Sequence, residues 1–467
     1  MNKFILYLII SASFLWCESS PNEKTNVQDS SEVNSYHITF NGLKSRSISV
    51  IAQIQVNENE FYILPHDKRF LPDIESWWDV ITIESMSDDS KDPLEIIEFI
   101  KTNEFNITKA KLNREVVGTL ELKYTVDISY IDKNYPNLNT AIGKSFGIDY
   151  FVVAKPLFIF SNYRSETKVT ISNPAGLKIT VPWKKQDESY ISKSLREFAY
   201  SNIIMTSGPM KTTDIVVSNL SYSIASFLDN KESAKLIKEM AIDISNYYVD
   251  LFPLDKPVRY VQLIYSVPGR DSGGEAYPYS STCAFSEESM NTSIFWKITV
   301  FHELFHMWNS HRLNGVTQNR KMEWLTEGFT EFMTEKALHE NGHISENQLI
   351  SLHESRLLRL KNTMIRKNGK VSILDSGENK GPNYNIVYEG GWLIANWLNN
   401  EFKQKTINQW DFERFLAHLF DKYPEDGDLK LTVEAFLSEV REINTETEKE
   451  LIILLNASDW ESVKEFI

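Results

Sequence analysis

Two histidines four residues apart bracket a glutamate in His302-Glu303-Leu304-Phe305-His306, and Glu327 follows 21 residues after His306 in Trp324-Leu325-Thr326-Glu327-Gly328-Phe329. No other feature of the chain constrains its fold as much. A helix turns once in about 3.6 residues, so residues four apart share a face and the two imidazoles project side by side. Two imidazole nitrogens placed like this can share one cation, ordinarily zinc. Glu303 stands about 100° around the helix from His302. That is too far round for a third ligand, yet close enough to take a proton from a water at the metal.

The flanking residues agree with such a helix. Val300, Phe301, Leu304, Phe305 and Trp308 fill the arc opposite the histidines, so one side of Ile294 to Asn309 can be buried while the other faces a cleft. Glu323, Glu327 and Glu331 recur every four residues on one helix face and compete for the third ligand position. Glu327 is favoured because Trp324, Leu325 and Phe329 surround it, and a carboxylate in apolar surroundings needs a cation or hydrogen-bond partner. Glu331 reads first as an exposed or salt-bridged glutamate, with the orienting of a histidine as the alternative. Structural zinc sites are closed by four protein ligands, whereas three ligands with a spare glutamate make a catalytic pattern.

At these residues a family resemblance enters. HELFHMWN with WLTEGFTEF resembles the gluzincin zinc peptidases and, more narrowly, the glycyl-aminopeptidase family. The resemblance implies one zinc ion on His302, His306 and Glu327, Glu303 as general base, a peptide substrate and a thermolysin-like catalytic domain. Val258 to Val267 (VRYVQLIYSV) reads as a strand, and Ser272-Gly273-Gly274-Glu275 follows it. In the family a Gly-rich turn there carries a glutamate that holds the substrate's free amino terminus, which implies substrate contacts at Gly273, Gly274 and Glu275. Here Glu275 follows the glycines directly, whereas the family more often inserts one residue. Removal of N-terminal residues is therefore the leading expectation, and cleavage of internal bonds on the same scaffold is the alternative. Val387-Tyr388-Glu389-Gly390 resembles the family's Tyr-x-x-Gly segment and implies Tyr388 as oxyanion donor, with Tyr384 one turn earlier as its competitor. Arg312, in the place of the family's Lys-Arg pair, suits the holding of a helix end. Relatives often carry a PDZ domain, but the patterns after Tyr388 are helical and leave no room for one.

Composition sets the outer bounds. The 467 residues, 42% hydrophobic, can build several cores and two or three domains. A net charge of −15 with no dominant basic stretch argues against nucleic acid and anionic membrane surfaces. Met1-Asn2-Lys3 leads into 13 apolar residues, Phe4 to Trp16, too few to span a bilayer, and then Cys17. Residues 1–17 thus read as a lipoprotein signal with a lipidated Cys17, and 18–35 as a flexible linker, which implies a bacterial cell envelope or secreted location. Cys17 and Cys283 are the only cysteines, so no disulfide forms within the chain if Cys17 is lipidated or removed.

The expected architecture is multidomain α+β. Short β-prone runs over 36–185 predict an N-terminal antiparallel β domain. A catalytic domain over 186–345 follows, with an amphipathic helix at Lys231 to Val249. Helical patterns over 346–467 (Glu346 to Lys361, Gly390 to Phe402, Asp411 to Tyr423, Thr432 to Ile443) predict a C-terminal helical domain, broken by a polar loop at Gly369 to Pro382. Leu94 to Ile100 fits helix or strand. Outside enzymes, the remaining class is a surface-binding lipoprotein with structural zinc.

Overall fold

Alternation of side chains organises the N-terminal half. In Ser47–Val56 the side chains of Ile48, Val50, Ala52 and Ile54 are buried while Ile51 and Gln53 face solvent, as successive strand residues point to opposite sides. The computed structural model describes residues 33–467, apart from 42–46, 57–58, 64–80, 91, 102–107, 128–142, 147–148, 154–157, 161–165, 174–175, 194–196, 199–200, 208–211, 229–230 and 268–271. The expected signal 1–17, Cys17, residues 18–32 of the expected linker, and His66 lie outside the described residues.

Ser47–Val56 sits inside a seven-stranded sheet of order Lys184–Gln186, Ser189–Ser192, Thr167–Ser172, Asn34–Phe40, Ser47–Val56, Gly118–Asp127, Ile81–Ser87. Pairing is antiparallel except between Asn34–Phe40 and Thr167–Ser172, which run parallel. The purely antiparallel domain expected from the sequence is corrected by this one pair: the long intervening chain supplies the crossover that a hairpin cannot. Two four-stranded sheets complete the region. One of them contains Ile96–Lys101, so the ambiguous Leu94 to Ile100 segment forms a strand. Phe198 centres the core, with ring centroids of Tyr36, Trp183, Phe160 and Phe158 at 4.7, 5.2, 5.3 and 5.7 Å.

A five-stranded mixed sheet follows, in the order Thr212–Val217, Leu220–Phe227, Val258–Ser266, Ser280–Phe285, Ser272–Tyr277. Its inner three strands are parallel and its two outer pairings antiparallel. One face (Tyr222, Ile224, Tyr260, Ile264, Cys283, Phe285) packs with the helices Lys231–Leu251 and Phe295–Asn309. The opposite face (Ala225, Val261, Leu263, Tyr265, Tyr277, Ala284) joins the aromatic core of the N-terminal sheets. The segment expected as a Gly-rich turn is instead the edge strand Ser272–Tyr277, because it pairs in register with Ser280–Phe285 and the chain reverses later, at Pro278-Tyr279.

Helices Thr330–Glu340, Glu346–Lys367, Lys380–Asn385, Gly391–Lys405, Phe412–Lys422 and Val433–Ile443 build the remainder. Glu346–Lys367 starts at a Ser345/Gln348 capping box and stops at Asn368, whose φ of 51° is left-handed. Two helices not anticipated from the pattern, Thr445–Asn456 and Trp460–Val463, start at Asn444 and Asp459, whose side chains accept backbone N–H bonds. The stretch Gly369 to Pro382, expected as a loop, contains a 3₁₀ turn, Ser376–Asn379, and the start of Lys380–Asn385. One apolar core runs from Ile215 to Val463. Among the described residues no helix is long and apolar enough to cross a membrane.

Candidate active site

The histidine helix, Phe295–Asn309, is held from both sides by side-chain hydrogen bonds. Tyr260 donates its hydroxyl to the Glu303 carbonyl at 2.8 Å, Gln262 donates to the Val300 carbonyl at 2.9 Å, and the Trp308 indole donates to the Phe252 carbonyl at 3.0 Å. At its C-terminal end Asn309 donates to the carbonyls of Leu325 (2.9 Å) and Thr326 (3.1 Å). Those two residues precede Glu327 in a π-helical turn, Leu325–Phe329. The asparagine straps the two candidate ligand segments together, and every residue from Val300 to Asn309 is buried.

His302, His306 and Glu327 converge. His302 Nε2 lies 3.0 Å from His306 Nε2 and 3.2 Å from Glu327 Oε2, and His306 Nε2 lies 3.4 Å from the same oxygen. Donors about 2.0–2.1 Å from a tetrahedral zinc stand roughly 3.3 Å apart, so this triangle fits one ion. Among the described residues it is also the one group of three His, Cys, Asp or Glu able to hold a metal. One outward nitrogen is backed as a metal-bound imidazole requires: His306 Nδ1 lies 2.7 Å from Ser310 Oγ. His302 Nδ1 makes no hydrogen bond among the described residues, and Glu331 Oε1 stands 3.5 Å from it.

Glu303 is buried, and its Oε2 has no hydrogen-bond partner among the described residues. Burial, assisted by the charges of Glu327 and Glu275, pushes its carboxyl up to about 8. A buried orphan oxygen beside the three donors suits a group that acts on a water there. Gly274 makes room for it: a Cβ on that residue would lie 2.5 Å from Glu303 Cγ.

The two other carboxylates expected to compete with Glu327 are engaged elsewhere. Glu323 pairs with Lys380 Nζ at 3.1 Å, and Glu331 with Arg356. Glu327 is fully buried, and its second oxygen, Oε1, also meets Lys380. Burial opposes ionisation of Glu327, yet Lys380, His306 and His302 outweigh it and hold the carboxyl well below its ordinary range.

Tyr388 stands on the far side of the cluster in a second π-helical turn, Ile386–Gly390. Its ring stacks on His302 with centroids 5.9 Å apart, and Tyr384 stacks on Tyr388 at 4.0 Å. The first π-helical turn meets the start of helix Gly391–Lys405, directly after the second, through glycines. A Cβ on Gly328 would lie 2.2 Å from the Gly391 carbonyl carbon, and one on Gly391 would lie 1.9 Å from the Trp324 oxygen.

Glu275 is placed differently from Gly274. In the edge strand Gly274 pairs with Cys283, on the sheet face beneath the histidine helix, whereas Glu275 pairs with Thr282 and shares its face with Tyr277 and Ala284, toward the N-terminal sheets. Strand alternation therefore brings Ala276, rather than Glu275, to the helix-facing side. Arg312 donates to the Pro253 carbonyl at 3.2 Å, consistent with a holding role. Other histidines pair away from the cluster: His37 with Ser172, His339 with Glu346, His343 with Asp243, His353 with Glu335 and His418 with Glu439.

Sequence reasoning missed the cations of the site. Arg356, from Glu346–Lys367, bonds Glu335 and Glu389, each at 2.6 Å, as well as Glu331, and Arg359 bonds Glu389 at 2.6 Å. Trp392 adds an indole bond to Glu335 at 3.0 Å. Lys380 lies in a stretch read as loop, so nothing local marked it. For Arg356 a signal existed: it shares one helical stripe with the buried Leu352, Leu360, Thr363 and Met364.

No family model and no curated protein matches the sequence. Solved structures do resemble the fold. An aminopeptidase N family protein from Idiomarina loihiensis superposes with a TM-score of 0.73 at 15% identity, over 93% of this chain and 78% of that one. Leukotriene A4 hydrolase from Saccharomyces cerevisiae gives 0.54 at 14% identity, over 92% and 68%. An M1 zinc metallopeptidase mutant from Deinococcus radiodurans gives 0.50 at 13% identity, over 92% and 94%. The chain thus has the multidomain α+β fold of M1 zinc metallopeptidases of the aminopeptidase N kind, the gluzincin plan that its histidine and glutamate blocks resemble.

Proposed function

We propose that this chain is a zinc-dependent peptidase, with a thermolysin-like catalytic unit around one ion on His302, His306 and Glu327. The observation that carries the reading is the convergence of these three donors beside a buried Glu303 oxygen that has no hydrogen-bond partner among the described residues. When bound, zinc supplies Lewis acidity and acidifies a water to a pKa of about 7. Glu303 takes the proton of the attacking water and delivers it to the leaving amine. Tyr388, over His302, donates its hydroxyl toward the oxyanion, and Tyr384 supports its ring from behind. Ser310 fixes the orientation of the His306 imidazole, and the Glu331 carboxylate stands near the outer nitrogen of His302.

Removal of N-terminal residues is the leading specificity, in line with the names of the similar structures. A second reading, cleavage of internal bonds, is favoured by one observation: Glu275 shares its strand face with Tyr277 rather than with the Gly274 that abuts Glu303. Hydrolysis of free and N-acetylated peptides separates the two. An aminopeptidase loses nearly all activity on the blocked form, and an endopeptidase keeps it. Attachment to a bacterial envelope membrane through a lipidated Cys17 belongs to the same proposal. It is tested by labelling with a fatty-acid analogue in wild type and Cys17→Ser.

The experiment for the reading as a whole is hydrolysis of a panel of unblocked aminoacyl amides and blocked peptides by wild type and Glu303→Gln, at verified equal zinc content. Activity lost in the variant supports it. Full zinc occupancy without cleavage of any substrate overturns it in favour of a binding protein with structural zinc.

A further inference from the structure

We propose that Lys380 is a positioning residue for the metal ligand Glu327: by engaging one carboxylate oxygen, it leaves the other as a single-point ligand aligned with His302 and His306. The inference rests on the zinc-peptidase reading above and concerns this chain's own side chains toward that ion.

Geometry divides the Glu327 carboxylate cleanly. Oε2 faces the two histidines, 3.2 and 3.4 Å from their Nε2 atoms, while Oε1 is taken by Lys380 Nζ. Left to itself, a carboxylate can approach a cation with one oxygen or with both. Two-oxygen binding would occupy coordination space that a catalytic site keeps open. The ammonium prevents that rotation by anchoring the far oxygen.

Lys380 is itself anchored. Glu323 holds Nζ at 3.1 Å, and the Tyr388 ring lies under it with its centroid 5.2 Å away. The lysine side chain is 11% exposed. A compact ammonium with three donors suits this work, since it can serve two carboxylates and a ring face at once. Charge balance points the same way. Glu303, Glu323, Glu327 and Glu331 are gathered around two histidines; Arg356 serves Glu331, and Lys380 serves the other pair of ligand-side carboxylates, Glu323 and Glu327. The placement also links two parts of the site. The cation that aligns the ligand touches the face of the tyrosine proposed to receive the oxyanion.

The test compares full-length wild type, Lys380→Met, Lys380→Arg and Glu323→Gln by two readouts independent of turnover. These are the zinc dissociation constant by chelator competition, and the visible spectrum of the cobalt(II)-substituted protein. Lys380→Met is expected to weaken zinc binding by about 10- to 100-fold, as loss of an outer-shell partner does. It should also lower the cobalt absorption intensity, because Glu327 then binds through both oxygens and raises the coordination number. Lys380→Arg, which keeps a cation, recovers most of the affinity and the wild-type spectrum. Glu323→Gln, which loosens the lysine without removing it, falls between, and it decides the matter should Lys380→Met not fold. A purely structural lysine would lower the melting temperature and leave both metal readouts unchanged, and that result overturns the inference alone. Failure of wild type to bind zinc overturns the peptidase reading and this inference with it.

Discussion

The two halves of the molecule solve burial in opposite ways. Around Phe198 the N-terminal sheets enclose aromatic rings and aliphatic side chains, and the buried carboxylates of those strands and loops are few, Asp149 and Glu197, with Glu275 at the edge strand that faces them, among the described residues. The half that holds the histidine helix encloses an apolar core too, but threads it with Glu303, Glu327, Glu335, Arg356 and Glu389. Packing alone can hold the first region. The second must balance buried charge before it can be stable, and that balance sets the geometry of the site. Stability and chemistry are thus separable in one half and coupled in the other.

Perturbations should expose that difference. The largest expected effect is chemical: Glu303→Gln lowers kcat by about 10²- to 10⁴-fold, the usual worth of a general base, with zinc content and thermal melting unchanged. Arg356→Met comes next. It removes the cation shared by Glu331, Glu335 and Glu389, leaving Glu389 to Arg359 and Glu335 to Trp392, and should cost about 3–5 kcal/mol of stability in denaturant titration, with zinc affinity falling as Glu331 shifts near His302. Phe198→Ala sharpens the contrast. It should cost a similar ~3–5 kcal/mol by leaving a cavity, yet the zinc dissociation constant of the folded protein stays where it was. A drop in zinc affinity in Phe198→Ala would show that the halves are not separable. Tyr388→Phe is expected to lower kcat by roughly 10²-fold while leaving KM and metal binding intact. Smallest is the ligand comparison at Glu323: Glu327→Ala abolishes tight zinc binding, whereas Glu323→Ala changes it by less than about tenfold, through Lys380 alone. Equal retention of metal in both variants would remove Glu327 from the ligand set.

How much of this could be read in the chain divides along the same line. The histidine helix was legible because its evidence is local: spacing, an apolar arc and a trailing Trp-Asn lie within one short stretch. Strands such as Ser47–Val56 were legible through their alternation. Whatever depends on distant partners was not. Gly273 and Gly274 look like a turn until Ser280–Phe285 pairs with them and makes them an edge strand, and that pairing decides which face Glu275 takes. Lys380 lies 53 residues from Glu327, and Arg356 lies 33 from Glu389, so no periodicity links either cation to its carboxylate. The π-helical turns under Glu327 and Tyr388 leave no mark in composition, and the close approach of Gly328 to Gly391 beside them joins segments 63 residues apart.

That packing carries a last consequence. Gly328 and Gly391 bring main chain against main chain, one residue after the proposed ligand Glu327 and three after Tyr388. The span between the metal side and the tyrosine side of the cleft is therefore ruled by peptide backbone and not by any side chain that selection can resize. Such a joint behaves like the fixed jaw spacing of a vice. Side chains around the two segments can change in size while the distance between Glu327 and Tyr388 stays as the backbone sets it.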